Sequence, residues 1–124
     1  MKEGKHVILY VDDDRDFLDS TKLVLEAKGF IVETAASAEE GLKAFKRCKP
    51  DLIIVDLMME EVDAGTGLVK ELRLAGNTAP MYMLSSVGDQ LHQSIDTSAL
   101  GLSGVFQKPV NFDNLVRTIQ QKLG

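Results

Sequence analysis

Four short stretches carry the reactive groups of this 124-residue chain: Asp12-Asp13-Asp14, Asp56, Ser85-Ser86 and Lys108-Pro109. Two carboxylates about 4 Å apart repel by roughly 4 kcal/mol at an effective dielectric near 20, so three held together would not be placed there for stability. A divalent cation relieves that repulsion. Hard oxygen ligands with water left in the shell suit Mg²⁺, which keeps near-octahedral geometry and needs only one or two protein carboxylates. A metal beside a carboxylate suits phosphoryl transfer. The metal neutralises developing negative charge, the Lys108 ammonium can hold one phosphoryl oxygen, and the Ser85 hydroxyl can donate to another. Asp56 is then the nucleophile, forming an acyl phosphate.

Each residue also has a plainer reading. An aspartate after a strand is commonly a helix N-cap, and Asp14 fits that role. Ser85 could be a turn residue and Lys108 a solvated surface charge. Singly, those readings are the better ones. Together they would require four loops to be polar at one edge by accident.

The elements that must position these groups are legible from periodicity. Five short apolar runs, at 7–11, 31–35, 52–55, 81–84 and 105–106, alternate with amphipathic stretches. The first and third are continuously apolar, as strands buried on both faces of a parallel sheet are. Phe17, Leu18, Thr21, Val24 and Leu25 line one face of a first helix, with Gly29 at its C-cap. Ser37 and Glu40 form a capping-box pattern opening a second, whose inner face is Ala38, Leu42 and Phe45; Pro50 follows its end. Leu68, Val69 and Leu72 carry a third, and Leu91, Ile95, Ser98, Ala99 and Leu102 a less apolar fourth. Phe112, Leu115, Val116, Ile119 and Leu123 make a fifth, with Asn111 as its N-cap. Five strand–helix alternations predict an α/β fold, a five-stranded doubly wound parallel sheet in a three-layer α/β/α arrangement. In such sheets ligands bind outside the carboxyl ends of the strands, which is where all four reactive stretches fall.

Composition narrows the function. Hydrophobic residues are 44% and charged residues 27%, an ordinary globular balance. One cysteine, Cys48, excludes a disulfide framework and a cysteine metal site, and a lone Cys near a helix end reads as a small apolar side chain. A net charge of −5 without a Lys/Arg cluster argues against direct nucleic-acid binding. No apolar run approaches the ~18 residues of a membrane span, and residues 1–6 lack a signal-type apolar segment. The expected location is the cytoplasm.

The chain resembles the receiver domain of bacterial response regulators over essentially its whole length. The resemblance rests on Val7-Ile8-Leu9-Tyr10-Val11-Asp12-Asp13-Asp14, Asp51-Leu52-Ile53-Ile54-Val55-Asp56-Leu57-Met58-Met59, Met83-Leu84-Ser85-Ser86 and Lys108-Pro109, in order and at strand ends. It implies the flavodoxin-like (βα)5 receiver fold over residues 1–124, a single response regulatory domain with no room for an effector domain. It implies that Asp56 accepts a phosphoryl group from a histidine kinase or phosphotransfer protein. Asp12 and Asp13 would be the acidic pair, Asp13 the more direct Mg²⁺ ligand, with Asp56 and the Met58 main-chain carbonyl completing the protein ligands; Mn²⁺ is expected to substitute. Ser85 and Lys108 stand at the family's switch hydroxyl and lysine, and the bond before Pro109 is expected to be cis. The domain would be a phosphoryl acceptor that catalyses its own phosphorylation and slowly loses the group, rather than an enzyme. Its output would pass to an effector domain or protein partner, with homodimerisation through the face of the fourth helix, fifth strand and fifth helix as a further expectation.

Three features depart from the family pattern. Glu60 replaces the usual proline after the acceptor, and Asp63-Ala64-Gly65-Thr66-Gly67 makes the following loop one residue longer. No Gly-Lys-Ser/Thr follows those glycines, so they do not form a phosphate cradle. Val105 occupies the place of the usual switch aromatic, while Phe106, one residue later, should face the opposite side of the strand and pack into the core. Met58 and Val87 are apolar where polar residues can help place an attacking water, which predicts a long-lived phosphate on Asp56.

Three other readings compete. A receiver-like module that is never phosphorylated would be free to lose some of Asp12, Asp13, Asp56, Ser85 and Lys108, and all are present. An aspartate-nucleophile phosphatase would need a second carboxylate where Met58 stands. A flavin-binding protein of similar topology would need a first loop that welcomes phosphate, and three aspartates repel one.

Overall fold

A computed structural model of the chain describes residues 4–56, 64–86, 102–108 and 111–123, with residues 64–66, 85, 86, 107 and 108 described by their backbone alone. The five apolar runs are strands: β1 (Val7–Val11), β2 (Ile31–Ala35), β3 (Leu52–Asp56), β4 (Met81–Ser86) and β5 (Gly104–Lys108). All pair in parallel in the order β2-β1-β3-β4-β5. That order turns at β1 and β3, the switch point of a doubly wound sheet, where ligands are expected.

Every residue of β1 and β3 is buried, which is why these strands read as unbroken apolar runs. Their side chains alternate between two cores. Ile8, Tyr10, Leu52, Ile54, Tyr82 and Leu84 pack with helix α1 (Arg15–Ala27) and the last helix, α4 (Phe112–Leu123). Leu9, Val11, Ile53, Val55, Met81 and Met83 pack with α2 (Ala38–Cys48) and α3 (Ala64–Leu74). The three-layer α/β/α arrangement is therefore present, with helices on both faces.

The helix ends follow local chemistry. Asp14 caps α1 by accepting from the Phe17 N–H at 3.2 Å. Gly29 closes it at φ +93°, and the Phe30 N–H reaches back to the Leu25 carbonyl at 3.2 Å. Asn111 caps α4 through the Asn114 N–H at 3.1 Å. Ser37 caps α2 through the Glu40 N–H at 3.1 Å, but the return half of the expected capping box is shifted: the Glu40 carboxylate accepts from Ala36, one residue before the cap, at 2.9 Å.

Three sequence readings are refined. Residues 64–67, read as part of a lengthened loop, instead open the helix α3. The buried residues of α2 are the small Gly41 and Ala44, with Ala38, Leu42 and Phe45 half-buried around them. A close approach of α2 to the sheet selects small residues, which hydrophobicity alone does not reveal. Strands β3, β4 and β5 also extend beyond the apolar runs, because their polar ends remain in register with neighbours. The predicted helix over 91–102 lies outside the described residues apart from Leu102, which packs against the α2/α3 core.

Candidate functional site

Val11 on β1 is level with Val55 on β3, so the next residues, Asp12 and Asp56, leave the centre of the sheet side by side. Both are buried, at 0% and 4% exposure. Asp13 is exposed. One carboxylate oxygen from each of Asp12, Asp13 and Asp56 falls within 4.8 Å of the others. The sequence-predicted acidic residues are thus brought together, apart from Asp14, whose carboxylate caps α1.

The Asp12 carboxylate is held at both ends. Oδ1 accepts from the Asp14 N–H at 3.0 Å, and Oδ2 accepts from the Tyr10 hydroxyl at 3.2 Å. The Asp12 N–H donates to the Ala35 carbonyl of β2 at 3.0 Å, fixing the backbone as it leaves the strand. Burial, then the negative charge of Asp12, pushes the Tyr10 phenol far above its usual range, so it stays protonated and can donate. The buried Thr21 hydroxyl lies near the phenol and opposes that shift, yet among the described residues it makes no hydrogen bond of good geometry, and the phenol's partner is Asp12. Tyr10 is the site residue that sequence reading passed over as one more apolar strand position. Its signal was the two-residue spacing to Asp12, which puts Asp12, just past the end of β1, on the same side as Tyr10.

Three hard carboxylate donors at this spacing fit a divalent cation such as Mg²⁺. Ser85 is the penultimate residue of β4, level with Gln107, and Lys108 ends β5 level with Ser86. Their backbones thus reach the same edge of the sheet as Asp56. Met58, Glu60, Val87 and Pro109 lie outside the described residues.

The family model of the response regulator receiver domain matches residues 8–120. The chain belongs to the response regulator receiver family. Its domain is a phosphoacceptor of two-component signalling, in a family that binds Mg²⁺ at an acidic pocket, and Asp12, Asp13 and Asp56 are the acidic cluster that could hold such an ion here. Among curated relatives, the chain is 34% identical over 116 residues to the transcriptional regulatory protein GlrR of Escherichia coli (strain K12), covering 94% of this chain and 26% of that protein. It is 34% identical to an uncharacterized 14.6 kDa protein in the sodA1 3' region of Leptolyngbya boryana, covering 92% and 87%. In structure it is similar to a CheY-like receiver domain protein from Methanospirillum hungatei JF-1, with TM-score 0.87, 32% identity and coverage of 97% of this chain and 94% of that one. It is also similar to the chemotaxis protein CheY4 of Vibrio cholerae, with TM-score 0.85, 29% identity and coverage of 96% and 99%. The chain spans about a quarter to a half of the regulators GlrR and CseB, at 26% and 51% of their lengths.

Proposed function

We propose that Asp56 is the phosphoryl acceptor and that its phosphorylation by a histidine kinase or phosphotransfer protein switches the domain. The observation that carries this is the meeting of Asp12, Asp13 and Asp56 within 4.8 Å at the carboxyl edge of the two central strands.

In this reading an Asp56 oxygen attacks the phosphorus of a phosphohistidine. The O–P bond forms and the P–N bond breaks; the bonding pair leaves with the imidazole, which takes up a proton. Asp12, Asp13, Asp56 and the Met58 carbonyl would hold Mg²⁺, or Mn²⁺ in its place. When bound, the cation supplies positive charge against the phosphoryl oxygens. Lys108 offsets the remaining charge and Ser85 donates a hydrogen bond, and both are drawn toward the new phosphate. A two-state equilibrium of the domain is then biased. The face of β5 and α4 carries the signal to an effector domain or partner, or to a second copy; the fourth helix that the sequence adds to this face lies outside the described residues. Residues 1–124 act as one receiver domain in the cytoplasm, as an acceptor rather than a turnover enzyme; among the described residues no helix is long and apolar enough to cross a membrane.

The test is incubation with acetyl phosphate and Mg²⁺, read by intact mass. Gain of one phosphoryl group, lost in Asp56→Ala, is expected. No gain with acetyl phosphate or with a panel of histidine kinases would favour a receiver-like module that is never phosphorylated.

A further inference from the structure

Tyr10 is the penultimate residue of β1, a strand buried on both faces. Tyr10 is fully buried, with Ile8, Leu52, Ile54 and Leu84 in the same core. A hydroxyl there loses its water and costs stability unless it finds a partner. The partner is Asp12 Oδ2, at 3.2 Å.

The ring is held in that orientation from the side. Phe17 of α1 meets it edge-on, with ring centroids 6.0 Å apart at 74°, and Phe112 of α4 stacks on Phe17 at 6.1 Å and 25°. The phenol therefore cannot swing away without disturbing α1. At 3.2 Å the bond is longer than a strong charge-assisted O–H···O contact. Its value lies in orientation more than in strength.

We propose that Tyr10 is a positioning residue for the cation site: its hydroxyl fixes the Asp12 carboxylate in the orientation that Mg²⁺ meets. This rests on the receiver reading of Asp12, Asp13 and Asp56. With Oδ1 tied to the Asp14 N–H and Oδ2 to Tyr10, the carboxylate is set before the cation arrives. Partners that orient a ligand in this way typically account for about 10–100-fold in metal affinity.

The test is calorimetric titration of Mg²⁺ into wild type, Tyr10→Phe and Asp13→Asn, with thermal unfolding of each in EDTA. Tyr10→Phe keeps the ring and its packing against Phe17. It should raise the Mg²⁺ Kd about 10-fold, raise the Mg²⁺ concentration for half-maximal phosphorylation by acetyl phosphate to match, and leave the rate at saturating Mg²⁺ unchanged. A purely structural role would lower the Tm in EDTA and leave the Kd alone. An unchanged or tighter Kd in folded Tyr10→Phe overturns the proposal. Should Tyr10→Phe not fold, Phe17→Leu carries the test, because it keeps the hydroxyl and frees the ring; it too must weaken Mg²⁺, and an unchanged Kd overturns the proposal. Failure of wild type to bind Mg²⁺ overturns the receiver-site reading itself, and this proposal with it.

Discussion

Gly41 on α2 lies so close to Val11 on β1 that a Cβ at Gly41 would stand 3.0 Å from Val11 Cγ2, and equally 3.0 Å from Leu68 Cδ2 of α3. Val11 immediately precedes Asp12, so this contact seats the strand end that carries the acidic pocket. Both neighbours are buried, and Val11 is stiff at χ1. Overpacking costs about 1–3 kcal/mol, against a helix-propensity gain of about 1 kcal/mol for Gly→Ala. Gly41→Ala should therefore lose about 1 kcal/mol net, seen as a lower urea midpoint at unchanged slope. A raised midpoint would mean that α2 can move outward freely.

Neutralising one carboxylate should separate stability from binding. Asp12, Asp13 and Asp56 present oxygens within 4.8 Å of one another. Asp13 is exposed, so solvent weakens its share of the repulsion but does not abolish it. Asp13→Asn should raise the Tm in EDTA by a few degrees. The wild type should gain about 2.7 kcal/mol from Mg²⁺ at about 100 times its Kd, and the variant should gain far less. Equal stabilisation of both proteins by Mg²⁺ would remove Asp13 from the ligand set.

At the opposite end of the sheet, Asp51 ties β3 to β1. Its Oδ2 accepts from the Val7 N–H at 2.8 Å and lies 3.8 Å from His6 Nδ1. Burial pushes the Asp51 carboxyl up, but the Val7 hydrogen bond and nearby positive charge, including His6, outweigh it and hold the group below its ordinary 3.8. A depressed folded value stabilises the protein above pH 3.8, and that stabilisation is lost as pH falls through the lower folded value. Asp51→Asn should cost about 1 kcal/mol at neutral pH. The gap between the two proteins in chemical denaturation should shrink below pH 3.8. A gap constant from neutral pH to well below that value would deny the ionised carboxylate its role.

Much of this arrangement was legible because two signals agreed. The buried strands β1 and β3 read as apolar runs, and polar residues followed each run at one edge. Asp14, Gly29 and Asn111 read correctly because a cap is a local hydrogen bond between near neighbours. What stayed hidden depends on distance across layers. Gly41 is set by how closely α2 approaches β1 and α3, and hydrophobicity does not encode that spacing. Tyr10 counts as apolar in a pattern, so its hydroxyl was invisible until Asp12 was seen on the same face. Asp51 read as the start of a motif, and its bond to Val7 needed the β1–β3 register.

On the proposed reading of Asp56 as acceptor, phosphate lifetime should depend on the residue types at 58 and 87. Met58 and Val87 offer no side-chain donor and no strong acceptor to place a water for attack on the acyl phosphate. The phosphoryl group on Asp56 should persist far beyond seconds after donor removal, and Met58→Asn should shorten that time. Followed by loss of label, decay of the wild-type phosphate within seconds would contradict this.

Phe106 and Val105 face opposite sides of β5. Val105 packs with the α2/α3 core, while Phe106 packs with the α1/α4 core, its ring 5.4 Å from that of Tyr82. Gly104, two residues earlier on the same face of β5, also lies close to Tyr82: a Cβ there would sit 3.1 Å from the Tyr82 ring. A ring clamped in this way is a packing element, and it is displaced by one residue from the family's usual switch aromatic. Phe→Ala costs about 3–5 kcal/mol at full burial, so half-buried Phe106→Ala should cost about 2 kcal/mol. It should leave the ratio of partner affinities with and without phosphate unchanged in the folded fraction. Titration of a partner against phosphorylated and unphosphorylated variant checks this. Collapse of the ratio in Phe106→Ala would make Phe106 part of the signal path and return the aromatic coupling that Val105 lacks.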